Sequence, residues 1–323
     1  MRPRAENHPA LDPKNMNRPA PSTSRALLFG ALVSATGLAS AQAADYFLHQ
    51  SQGAGWNWHQ IGNSHGWYTA RSGGALANTV NGGVFDTSGH YYTNGYQVRS
   101  PESANEETFT GAKLILENNS SLALKTTNGT TARAVVPHLE TQGSVSIIAA
   151  NAGHYHNLTV TTFDQAGTTT FTANTGRSID LTIGTLNGGG DIVFSGAAST
   201  SNFRLAEVGA SSFTGTFTLA GGTLLFSADF AAERASLSIA EGAFVNLTHG
   251  VSVSALSIAG DSLADGLYSY SWLKQNYGDI FAEGDVVNGF ISVGAAAIPE
   301  PSAFAAVLGL GAFGLVASRR RRR

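Results

Sequence analysis

From about Pro101 onward, apolar and polar residues alternate in short runs such as Ser121-Leu122-Ala123-Leu124-Lys125, Ser144-Val145-Ser146-Ile147 and Leu158-Thr159-Val160-Thr161. The pattern continues through Ile179-Asp180-Leu181-Thr182-Ile183, Phe213 to Leu219, and Val251-Ser252-Val253-Ser254. A period of two sends successive side chains to opposite faces of a strand, so these runs predict half-buried β-strands with Ser and Thr outward and aliphatics inward. Turn signals separate them, among them Asn187-Gly188-Gly189-Gly190, Ala220-Gly221-Gly222 and Glu241-Gly242. Hardly any apolar stretch carries helical spacing, and the region reads as nearly all β.

Strands this short and this closely spaced fit either a sandwich or a stacked solenoid. Length, monotony and low charge favour the solenoid. A coil of roughly 20 to 25 residues would give Pro101 to Val293 roughly eight or nine turns around one core. The preceding stretch, Ala44 to Ser100, differs: it holds Trp56, Trp58, Trp67 and Tyr68 among Gly, Asn and Ser turns, a group that either stacks on sugar rings or, the favoured reading, plugs the open first coil. The predicted organisation is a leader over 1–43, a cap region over 44–100, a solenoid body over 101–293 and a terminal segment over 294–323. The fold expected is all-β: a right-handed parallel β-helix with an N-terminal β cap and a single C-terminal hydrophobic helix.

Composition sharpens this reading. Charged residues are 13% of the 323, with 38 Gly, a balance typical of an exported all-β protein. Cysteine is absent, so packing and backbone ladders must supply the stability that disulfides give many secreted domains. Basic residues crowd both ends. Between Ala44 and Ile298 there are 9 Lys and Arg against 19 Asp and Glu, a net of -10, which disfavours nucleic acid as a partner.

The two ends read as addresses. Ala26 to Leu38 is a 13-residue apolar run preceded by Arg18 and Arg25 and followed by Ala39-Ser40-Ala41 and Ala41-Gln42-Ala43. At about 1.5 Å per residue it is short for a membrane span, and the small residues suit signal peptidase, with cleavage after Ala41 or Ala43. The polar, Pro-rich stretch before Met16 is unlike a signal n-region and points to Met16 as the start of translation. At the other end Ile298-Pro299-Glu300-Pro301 precedes the apolar Ala303 to Ala317, then Ser318 and the basic tail Arg319, Arg320, Arg321, Arg322 and Arg323. The arginines hold the cytoplasmic side. The 15-residue apolar run would reach only about 22 Å against a hydrocarbon core of about 30 Å, which suits a transient hold. Two prolines keep the segment around Glu300 extended and open to a processing enzyme.

This order of motif, apolar run and basic tail resembles the PEP-CTERM sorting signal, with Ile298 where that family usually has Val. The resemblance implies an exosortase-type membrane transpeptidase or protease as partner, acting near Pro299 to Pro301. Leu181 to Leu186 with Gly188 to Gly190, and Leu219 to Phe226, resemble autotransporter-associated β-strand repeats. Val253 to Gly260 followed by Asp261 to Tyr268 resembles the closing module of such proteins. These likenesses imply export and passenger or scaffold duty rather than any reaction.

Candidate chemistry is sparse. Gly62-Asn63-Ser64-His65-Gly66 matches the nucleophile-elbow string but lacks the flanking strand and helix, and His59 and His65 lack an acid partner. His154 and His156 would share a strand face without a third metal ligand. Gly188 to Gly190 precedes a strand, so no helix N-terminus is there to hold phosphate. A polysaccharide lyase on a β-helix needs clustered carboxylates and bases, whereas Lys125, Arg133, Arg177 and Arg204 stand singly. No catalytic, cofactor or metal residue is assigned. The chain is expected to be an exported structural or adhesive envelope protein without enzymatic activity, held by its C-terminal helix and then released or attached at the cell surface. The alternative is a carbohydrate-binding or lyase-like β-helix, and extracellular polysaccharide is a partner under either reading.

Overall fold

The structure, a computed structural model, describes residues 42–53, 55–60, 64–77, 84–103, 105–126, 131–150, 155–281 and 289–294. Nearly every described element is a strand. The first seven are short: β1 (Asp45–Leu48), β2 (Trp67–Tyr68), β3 (His90–Tyr92), β4 (Gln97–Arg99), β5 (Glu106–Thr108), β6 (Lys113–Leu116) and β7 (Ser121–Leu124). Longer and shorter strands then alternate through β8 (Thr131–Thr141), β9 (Ser144–Ala149), β10 (Tyr155–Gln165), β11 (Thr168–Ala173), β12 (Ser178–Gly188), β13 (Asp191–Gly196), β14 (Asn202–Ser211) and β15 (Thr216–Gly221). The remainder are β16 (Thr223–Phe226), β17 (Phe230–Ile239), β18 (Phe244–Leu247), β19 (Gly250–Ile258), β20 (Asp261–Leu263), β21 (Gly266–Ser269), the helix α1 (Tyr270–Asn276) and β22 (Phe290–Val293).

These strands build two parallel sheets that share one core. The first runs β18-β16-β14-β12-β10-β8-β6-β3-β1-β2, the second β21-β22-β19-β17-β15-β13-β11-β9-β7-β4. From β6 to β19 consecutive strands sit in opposite sheets, and each pairs in parallel with the one two places on. That is the connectivity of a parallel β-solenoid. Thr131, Tyr155 and Ser178 are register partners, a step of 24 and then 23 residues. The step shortens to 21 from Thr223 to Phe244 and to 20 from Thr216 to Ser236. Regular turns number about six, from β8-β9 to β18-β19, rather than eight or nine. The difference arises at the ends. The chain before β6 is spent on β5 and its flanks, and after β19 it departs from the coil: β20 folds back antiparallel on Leu256 to Ile258, and 40 residues separate Val251 from its partner Ile291.

The alternation of the sequence is realised in the core. Ile147, Phe171, Phe194 and Leu219 follow one another in register across the second sheet, all buried, with the Phe171 and Phe194 rings stacked at 5.5 Å. Val136, Val160 and Ile183 form a matching inner column in the first sheet. The eleven-residue strands are longer than the four-residue runs in the sequence because they continue through a bend. In β10 the buried positions Leu158 and Val160 give way to Phe163, with Thr161 and Thr162 both directed outward. Gly184 holds the bend position one turn on, where a Cβ would come within 2.7 Å of the Thr161 carbonyl oxygen.

One polar cluster lies inside this core. Gln165 accepts hydrogen bonds from the hydroxyls of Thr141 and, at 2.7 Å, Thr169, and its amide donates to the carbonyls of Gly167 at 2.7 Å and Asp191 at 2.9 Å. All three side chains are buried, and the amide's acceptor and both its donors are satisfied. Gln165→Leu keeps the volume and strands these partners without Gln165's bonds, so it is expected to cost about 3 kcal/mol in chemical denaturation of the full chain. A cost under about 1 kcal/mol would show that the cluster is dispensable.

Candidate functional site

The outer face of the first sheet carries a stripe of charge that no local motif announced. Glu140 on β8, Asp164 on β10 and Asn187 on β12 are register partners, so their outward side chains stack one turn apart. Lys113 on β6 donates to Glu140 Oε2 at 2.8 Å. His138 Nε2 lies 2.6 Å from Asp164 Oδ2, Asn187 donates to Asp164 Oδ1 at 3.0 Å, and Ser212 donates to Asn187 Oδ1 at 2.9 Å. Side chains up to a hundred positions apart in the chain thereby line up in one row, as two hydrogen-bonded groups, Lys113 with Glu140 and His138 with Asp164, Asn187 and Ser212.

The electrostatics of the row follow from these contacts. Partial burial works to raise the Asp164 carboxyl, but the hydrogen bonds from Asn187 and His138 outweigh it and hold the group below its ordinary 3.8. Burial likewise opposes ionisation of Glu140, and Lys113 and Gln142 overcome it to hold that carboxyl below 4.5. Both are anions at neutral pH. Acid–base cleavage of a glycosidic bond uses a divided pair, one carboxyl protonated and one ionised. This stripe instead holds both carboxyls in the same ionised form, each engaged by hydrogen bonds from its neighbours.

Beside it, where the chain turns out of the first sheet, Arg71, Asn94, Gly95, Glu117, Asn118 and Gln142 line an open cavity of about 360 Å³. Arg71 forms an ion pair with Glu117 at 2.7 Å, and its guanidinium carbon lies 4.8 Å from the Phe47 ring centroid and 5.2 Å from that of Tyr92. Asn94 adopts φ 52°, and its backbone N–H donates to Glu117 Oε2 at 2.8 Å. Asn118 Oδ1 accepts from Ser144 N at 3.0 Å. Much of the cavity's polar lining is thus already engaged within the protein.

The residues singled out in the sequence fall differently. Pro299, Glu300, Pro301, Arg319 to Arg323 and Ala41 lie outside the described residues, as do Gly62, Asn63 and His154. Ala43 is half-buried and precedes β1. Trp58 and Trp67 are fully buried, with Trp67 Nε1 donating to Trp58 O at 2.9 Å, so neither offers a surface for sugar stacking. Trp56 stacks on His65 at 4.8 Å and Tyr68 on His49 at 3.8 Å. His156, which lacked a third metal ligand in the sequence, is buried in the core: Nδ1 lies 3.2 Å from Ser178 O, and Nε2 has no hydrogen-bond partner.

Three of the four basic residues read as isolated, all but Arg133, are brought to partners. Lys125 pairs with Glu102 at 2.8 Å, Arg204 with Asp180 at 3.6 Å, and Arg177 donates to Ala149 O at 2.8 Å. The sequence signal that was available is periodicity at long range, since Glu140, Asp164 and Asn187 recur at 24 and 23 residues in one strand phase.

Among the described residues, no group of three or more His, Asp or Glu is arranged to hold a metal ion, and no helix is long and apolar enough to cross a membrane. Comparison of the chain with protein-family models, with curated proteins and with solved structures gave no match.

Proposed function

We propose that this chain is an exported structural or adhesive protein of the cell envelope, sorted and processed through its C-terminal segment. The observation that carries the reading is the order Pro299-Glu300-Pro301, apolar run, Arg319 to Arg323. In this proposal signal peptidase cuts after Ala41 or Ala43. The C-terminal apolar helix then holds the body at the outer side of the membrane until an exosortase-type enzyme acts near Pro299 to Pro301. The solenoid winds right-handed, as parallel crossovers overwhelmingly do, and the segment before β3 caps its first turn.

The character of the body supports such a role. A continuous parallel ladder with an apolar core gives stability without cysteine. The outer face of the second sheet presents small hydroxyls in register, such as Ser121, Ser146 and Thr170, and that of the first sheet carries the Lys113–Glu140 ion pair. Such a surface suits lateral contact with a hydrated matrix, including extracellular polysaccharide.

Mass spectrometry of the mature protein tests the proposal. A C-terminus close to Pro299 is expected, and replacing Pro299, Glu300 and Pro301 together by alanine is expected to leave the unprocessed chain in the membrane fraction. Secreted protein that retains Arg323 would overturn it.

A further inference from the structure

The end of the solenoid at which the described chain stops brings a group of aromatic side chains to the surface. β21 is the outermost strand of the second sheet and pairs antiparallel with β22, just before Gly294. Immediately after β21, Ser269 caps α1, which turns Tyr270 and Leu273 into the core and leaves Trp272 40% exposed. The Trp272 ring lies 4.9 Å from Tyr268 and 6.3 Å from Tyr277, both half-buried, and Leu267 beside them is 67% exposed.

Several of the polar groups around these rings bond within the protein. Tyr268 Oη donates to Ala264 O at 2.6 Å, Lys274 Nζ to Phe281 O at 3.0 Å, and Asn276 Nδ2 to Trp272 O at 2.8 Å, while the Tyr277 hydroxyl is engaged by Asp261. A glycan site needs donors and acceptors that converge on the ligand beside the aromatic platform. Here they converge on the protein. What the cluster does offer is a set of amphipathic rings, the side chains that settle at the boundary between lipid headgroups and acyl chains.

Chain length brings that boundary within reach. Eight residues separate Gly294 from Ala303, where the apolar run begins, and fully extended they span at most about 30 Å. An anchor in the bilayer therefore keeps this end of the body close to the membrane surface, where a weak surface affinity suffices because the contact is intramolecular in effect. We propose that the Tyr268, Trp272 and Tyr277 cluster docks on the outer surface of the membrane that holds the anchor. The inference rests on the anchoring role proposed above. Exposed Asp261, Asp265 and Asp279 at the same end favour a zwitterionic over an anionic surface.

The test uses the full chain reconstituted in phosphatidylcholine vesicles whose lipids are brominated near the headgroup end of the acyl chains. Trp58 and Trp67 are buried near the opposite end of the stack, and Trp56 lies with them. Trp272 is thus expected to supply most of the quenchable emission, and Trp272→Phe to reduce the quenched fraction at least threefold. Equal quenching in parent and variant, with the chain still resisting alkaline carbonate extraction, overturns the docking and leaves the anchor standing. Extraction of the chain by carbonate overturns both. A saturable emission change with a soluble oligosaccharide, abolished by Trp272→Phe, would assign the cluster to a glycan instead.

Discussion

Gly190→Ala is expected to lower the thermal unfolding midpoint of the full chain by about 10 °C, against almost no change for Gly53→Ala. Gly143, Gly167, Gly190 and Gly215 occupy the same corner of four successive turns, between a first-sheet strand and the second-sheet strand that follows. A Cβ at Gly190 would overlap the carbonyl oxygen of Gly167 in the turn below, and a Cβ at Gly215 would overlap that of Gly190. That Gly167 carbonyl accepts the hydrogen bond from Asp191 N at 2.8 Å, and the equivalent Gly143 carbonyl accepts from Thr168 N at 2.7 Å. Relief of the overlap must therefore stretch the ladder itself, because the obstructing atom is backbone and cannot rotate away. Overpacking of this kind costs about 3 kcal/mol, and for a body of this size each kcal/mol moves the midpoint by roughly 2 to 4 °C. Gly53 has nothing within 4 Å of its added carbon and serves as the control. Equal melting of the two variants would refute the assignment of this column to close backbone stacking.

Acidification from neutral pH is expected to cost about 3 kcal/mol of stability through His156 alone. Burial drives the imidazole down from 6.5 to about 4 in the folded chain, against a smaller opposing contribution from its hydrogen bond to Ser178. Above pH 6.5 the ring is neutral in both states and the shift has no effect. As the pH falls from 6.5 towards 4 the unfolded chain takes up a proton that the folded chain refuses, so stability declines across that window and levels off below it. A difference of about 2.5 units corresponds to about 3 kcal/mol. His156→Leu removes this dependence. It also removes the unpartnered Nε2 from a column in which Ala132 and Ile179 are the register neighbours, so the variant is expected to be at least as stable at pH 7. Urea denaturation of both proteins between pH 4 and 7 gives the difference directly. Parallel pH curves would show that His156 is not the titrating group.

The class of fold was legible because period-two alternation is a local property: each of Ser144 to Ile147 and Ile179 to Ile183 declares its buried face without reference to the rest of the chain. Close strand spacing with short turns likewise left a sandwich or a stacked solenoid, between which length, monotony and low charge favoured the solenoid. The number of turns was less legible, since the departure after β19 depends on β20 and β21 pairing antiparallel, which no local pattern encodes. His156 illustrates the same limit. A histidine two residues before Leu158 shares that residue's inward phase, yet polar character argued for the outside, and only the register with Ala132 and Ile179 places it in the core.

What the sequence alone determined is therefore what short-range periodicity and composition encode: an all-β body without cysteine, with outward Ser and Thr and with an apolar run near either end. Only the tertiary structure decided which turns stack on which. That choice fixed the row from Lys113 to Ser212, the glycine column from Gly143 to Gly215 and the aromatic end around Trp272. The physical reason is that a ladder bond joins residues some 20 to 25 positions apart, and a slip of one residue in register would turn each side chain to the opposite face. Contacts across turns consequently depend on the summed packing of the whole core, which no single stretch of the chain contains.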